Sequence, residues 1–85
     1  MKSENGKIED RTILDEDLQL AGLWVGDCRV TNGARLELLG TVTGSVIVDE
    51  GSTALIAGMV NGDVVANGRV EITGTVSGRV TGSGL

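Results

Sequence analysis

Two acidic runs, Asp15-Glu16-Asp17 and Asp49-Glu50, are the nearest approach to a chemical motif in this 85-residue chain. Clustered carboxylates can hold a hard cation, which takes six or more oxygen ligands. A calcium-binding solenoid supplies them through a regular Gly-Gly-x-Gly-x-Asp repeat. That repeat is absent, so the acidic runs read as solvated turns. The chain has no His, and with it goes the commonest general base. Its one cysteine, Cys28, heads a column otherwise filled by valine and reads as a small buried hydrophobe rather than a redox centre. With 14 glycines, Gly-x-Gly fragments arise freely. None is followed by a Lys and a helix, as a phosphate cradle requires. No catalytic, cofactor-binding or metal-ligating constellation emerges, and the expectation is a protein without enzymatic activity, cofactor or small-molecule substrate.

What the glycines do instead is keep time. Gly22-Leu-Trp-Val-Gly26 is echoed by Gly40-Thr-Val-Thr-Gly44, Gly58-Met-Val-Asn-Gly62 and Gly74-Thr-Val-Ser-Gly78, at steps of 18, 18 and 16 residues. So short a period, with strand-like alternation inside it, predicts a solenoid whose coils stack on one another. Within a coil, alternate residues point inward. The expected columns are Trp24, Val42, Val60 and Val76; Cys28, Val46, Val64 and Val80; Val30, Val48 and Ala66; Leu36, Ala54 and Val70; and Leu38, Ile56 and Ile72. Asn32-Gly33, Glu50-Gly51 and Asn67-Gly68 supply corners, where Gly or Asn accepts a positive φ. A sixfold recurrence of aliphatics from Trp24 to Ile72 suggests three faces per turn. The fold expected is therefore all-β, a three-sided parallel β-helix of about four coils. Leu14 to Gly22 aligns with Ala66 to Gly74 as the end of a degenerate first coil, with Thr12 capping a short helix as the rival reading. Residues 1–12 are polar and irregular and read as a flexible N-terminal tail, leaving 13–85 as the solenoid domain.

Composition limits the function classes. A net charge of −5 with only seven scattered Lys and Arg argues against a nucleic-acid groove. No apolar stretch reaches the length of a membrane span or a signal peptide, and a lone cysteine suits a reducing compartment. The expected location is cytoplasmic, with any membrane association passing through partners. Sixfold spacing also marks the left-handed hexapeptide helices of acyltransferases. Their Gly, Asn or Asp after each aliphatic is met here at Asp49, Asn61 and Asn67 but not at Val25, Thr31, Glu37, Thr43, Leu55 or Thr73, a poor match.

The phrases Gly40-Thr-Val-Thr-Gly44-Ser-Val, Gly58-Met-Val-Asn-Gly62-Asp-Val-Val-Ala-Asn-Gly68-Arg-Val-Glu-Ile and Gly74-Thr-Val-Ser-Gly78-Arg-Val resemble the core repeats of bactofilins, the polymer-forming bacterial cytoskeletal family. The resemblance covers about residues 14–82. It implies a right-handed β-helix that assembles end to end without nucleotide and scaffolds membrane-proximal or wall-modifying proteins. This chain departs from the family in having fewer coils, no short apolar N-terminal targeting stretch and no Phe to anchor a C-terminal interface.

Physics points the same way. Each end of a β-helix offers unpaired strand edges and an open section of core, a template for another copy. The expected N-terminal assembly end is Leu14, Leu18, Leu20 and Trp24, although Trp24 in a valine column reads first as a core plug. The expected C-terminal end is Val76, Val80 and Leu85. Aliphatics left facing outward, above all Leu23, Met59, Ile47 and Val65, form an expected lateral or partner patch. The expected function is a self-assembling scaffold whose partner is itself, as a homo-oligomer or filament. The alternative is a small capped module, of inhibitor or immunity type, that binds one protein through its outer apolar face.

Overall fold

Strands of two to four residues separated by tight corners leave this chain no helix among its described residues. The computed structural model describes residues 2–9 and 12–82. The first coil holds β1 (Lys2–Glu4), β2 (Lys7–Ile8) and β3 (Ile13–Leu14). The second holds β4 (Leu18–Leu20), β5 (Leu23–Trp24) and β6 (Cys28–Val30). The third holds β7 (Arg35–Leu38), β8 (Thr41–Val42) and β9 (Val46–Val48). The fourth holds β10 (Thr53–Ile56), β11 (Met59–Val60) and β12 (Val64–Ala66). The fifth holds β13 (Arg69–Ile72), β14 (Thr75–Val76) and β15 (Val80–Thr81). Every third strand joins the same sheet. The three faces are β1-β4-β7-β10-β13, β2-β5-β8-β11-β14 and β3-β6-β9-β12-β15, all parallel, and four full turns separate the first strand of each from its last.

Register shows where the period changes. Lys2 pairs with Leu18, Leu18 with Leu36, Leu36 with Ala54 and Ala54 with Val70, steps of 16, 18, 18 and 16 residues. The two extra residues always enter at the corner from the third face back to the first. There, Thr31 to Ala34 closes with Ala34 N–H donating to Thr31 O at 3.0 Å, and Asp49 to Ser52 closes likewise at 3.0 Å. In the first of these turns Asn32 and Gly33 both have positive φ, 59° and 68°, the type I′ geometry that Asn-Gly favours. In the second only Gly51 does, at 85°, which is the type II pattern. Ala34 and Ser52 turn inward there and are buried, two core residues that alternation alone does not reveal.

The inward columns stand as the alternation predicts. Leu18, Leu20, Trp24, Cys28, Val30, Leu36, Leu38, Val42, Val46, Val48, Ala54, Ile56, Val60, Val64 and Ala66 are all buried. The glycines at the corner between the first and second faces form a ladder of their own. A Cβ on Gly22, Gly40, Gly58 or Gly74 would collide with the carbonyl oxygen of the glycine one coil earlier, so only hydrogen fits between coils one strand spacing apart.

Two expectations are corrected at the N-terminus. Residues 2–9 are not a tail, because β1 and β2 pair in register with β4 and β5 and extend the solenoid by a further coil. Neither does Thr12 cap a helix, since Ile13 and Leu14 continue as a strand beside Arg29 and Val30. Polar residues at inward levels conceal this coil: Glu4 stands over Leu20, and only Ile8 and Leu14 keep the apolar pattern.

Candidate assembly surfaces

At the N-terminal end, the residues expected to lie open are covered. Leu20 and Trp24 have no exposure and Leu18 has 4 %, because the first coil lies over the second, and Leu14, which belongs to that first coil, is itself fully buried. Trp24 is the expected core plug, and its indole Nε1–H donates to the Asp27 carbonyl at 2.9 Å, so the buried ring leaves no donor unmet. The surface presented at this end belongs to the first coil instead. There half-buried Glu4 turns its carboxylate back to accept the Gly6 N–H at 3.2 Å, and Thr12 is exposed. A coil with a charged residue at a core level is the usual form of a capping repeat.

The C-terminal end differs in chemistry. Val70, Ile72, Val76 and Val80 pack against the core on one side and are only half-buried. Among the described residues, strands β13, β14 and β15 are the last in their sheets, so each has one edge with no strand beside it. Val76 and Val80 thus lie together on one open section of core, joined by Val70 and Ile72. Leu85 lies outside the described residues.

The four residues of the lateral patch are brought together in pairs. Leu23 and Met59 flank Thr41 on the second face, in register across three strands. Ile47 and Val65 are neighbours on the third face, beside Arg29. The corner between these faces separates the pairs. It carries its own ladder, in which Asp27 Oδ1 accepts the Ser45 N–H at 2.9 Å, Ser45 Oγ the Asp63 N–H at 3.1 Å, and Asp63 Oδ1 the Arg79 N–H at 2.9 Å. On the third face Arg29 Nε donates to both oxygens of Asp49, at 3.1 and 3.2 Å. Leu39 and Met59 are the most exposed aliphatics of the middle coils, at 47 % and 41 %, and Ile13 at 52 % projects from the first coil.

A shallow depression of about 380 Å³ on the first face is lined by Arg35, Thr53, Arg69 and Glu71. Among the described residues, no three His, Cys, Asp or Glu side chains are grouped to hold a metal ion. The acidic runs are spent on structure: Asp17 Oδ1 accepts the Arg35 N–H at 3.0 Å, and Asp49 closes a turn and pairs with Arg29. Among the described residues, no helix is long and apolar enough to cross a membrane. No known protein family, curated protein or solved structure matches the chain.

Proposed function

We propose that this chain is a structural protein that associates with copies of itself by stacking solenoids end to end through its C-terminal coil, in the manner of the bactofilins its repeats resemble. The observation that carries the proposal is the half-exposed section of core at Val70, Ile72, Val76 and Val80, rimmed among the described residues by three unpaired strand edges. A second copy covers that apolar area and pairs those strands in one step, and completing the burial of each half-buried aliphatic side chain is worth about 1 kcal/mol. The chemistry is purely associative, without nucleotide, cofactor or turnover. On this reading the assembly works in the cytoplasm as a scaffold for other proteins near the membrane.

The polar first coil favours a second reading. With one apolar end and one capped end, the chain forms a discrete particle that binds one partner, rather than a filament. Negative-stain microscopy with light scattering at two concentrations separates them. Filaments or concentration-dependent growth, abolished by Val76→Asp or Val80→Asp in a protein that keeps its β circular dichroism, support end stacking. Unchanged assembly in a folded variant overturns it.

A further inference from the structure

Charge is distributed unequally among the three sides of the solenoid. The chain is 22 % charged, yet residues 20–26, 38–48, 54–62 and 72–78 contain no charged residue. Those segments include the whole second face in coils two to five. Its outward positions form two columns, Leu23, Thr41, Met59 and Thr75 beside Val25, Thr43, Asn61 and Ser77. The first coil alone adds charge there, an exposed pair in which Lys7 Nζ lies 3.1 Å from Glu9 Oε2. In coils two to five this flat side carries Leu23, Val25 and Met59 among neutral hydroxyl and amide side chains, so it can be covered there without desolvating a charge.

We infer that the second face is the contact between two copies of this chain lying side by side with their solenoid axes parallel, related by a two-fold axis along the solenoid. Such an axis exchanges the two columns at every level. Lys7 then faces Glu9 of the second copy, Leu23 faces Val25, Thr41 faces Thr43, Met59 faces Asn61 and Thr75 faces Ser77. Like meets like at the apolar and hydroxyl levels, and opposite charges meet at the first coil. The antiparallel alternative sets the Lys7–Glu9 pair of each copy against Thr75 and Ser77, so that pair loses water without gaining an opposite charge from the second copy, which is costly at an interface. The area is adequate. Shared evenly among three sides and two ends, the 4441 Å² surface gives about 900 Å² per side, against about 800 Å² per partner in a standard interface. This contact uses a surface distinct from the C-terminal end, so it holds or fails separately from end stacking.

The test is sedimentation of the Val76→Asp, Val80→Asp double variant, in which end contacts are removed. The expected species is a dimer. Adding Thr41→Lys and Met59→Lys, both at outward positions, places two like charges from each copy in the contact and raises its dissociation constant at least about 100-fold. Should the end-contact variant not fold, wild-type particles of doubled width that the two lysines narrow to single width report the same contact. Orientation is read with Thr75→Cys. In the parallel pair two fifth coils lie side by side, and a short bismaleimide joins Thr75→Cys copies to each other. The reverse orientation separates them by four strand spacings, about 19 Å, and joins them to Lys7→Cys copies instead. A monomer in the end-contact variant overturns the inference, as does the reverse cross-link. So does a monomer that pellets with phosphatidylcholine vesicles, which would assign the face to lipid.

Discussion

At the scale of single residues, glycine does two separate jobs that substitution can tell apart. Gly51 is there for its backbone angle, with φ 85° and nothing within 4 Å of the place a methyl group would take. Gly51→Ala is expected to cost about 1 kcal/mol, the conformational penalty alone. Gly58 is there for space, since a methyl group would run into the Gly40 carbonyl in the coil beneath. Gly58→Ala forces two coils apart and is expected to cost about 3 kcal/mol, with urea melts of both variants as the comparison. Sequence makes both glycines visible but not their difference, because the repeat displays identity and not direction. Ser52 is hidden for a related reason. A polar residue in a four-residue turn reads as exposed until its hydroxyl is found buried, accepting the Gly33 N–H at 3.2 Å.

At the scale of elements, strands of two to four residues are too short to persist alone, and each one in coils two to four is held by the coil below and the coil above. The corner ladder of Asp27, Ser45, Asp63 and Arg79 reinforces this between sheets, each side-chain oxygen taking an amide from the next coil. Asp63→Ala removes the acceptor for Arg79 and is expected to cost about 1 kcal/mol. Its signature is hydrogen exchange at the Arg79 amide faster than in the wild-type chain, with little change at Val46, whose amide bonds to the Asp63 backbone carbonyl. The inward columns of coils two to five are legible because valine, leucine and isoleucine recur at fixed steps with glycine between them. The first coil is not. Its 16-residue step and the pairing of Lys7 with Leu23 and Ile8 with Trp24 match the last coil, and Gly6 lies directly under Gly22. Yet Glu4 at a core level breaks the apolar column on which recognition depends. The cue available is Gly6, sixteen residues ahead of Gly22.

At the scale of the whole molecule, the two ends of the solenoid are chemically unlike, one carrying Glu4 at a core level and the other Val70, Ile72, Val76 and Val80. Glu4→Leu extends the column of Leu20, Leu38 and Ile56 by one level. It is expected to stabilise the fold by about 1 kcal/mol and to raise self-association from the N-terminal end. Light scattering of the variant checks it, with Trp24 fluorescence confirming that the ring stays buried. Because hydrogen bonds between coils run along the solenoid axis and β1 and β15 lie at opposite ends of it, a pull on the two termini loads the outermost strands first. The molecule then yields under tension like a spool, one coil at a time from either end. Each coil that comes free, a step of 16 residues at the ends and 18 in the middle, lengthens the chain by about 55 to 60 Å, a staircase that an optical trap would resolve.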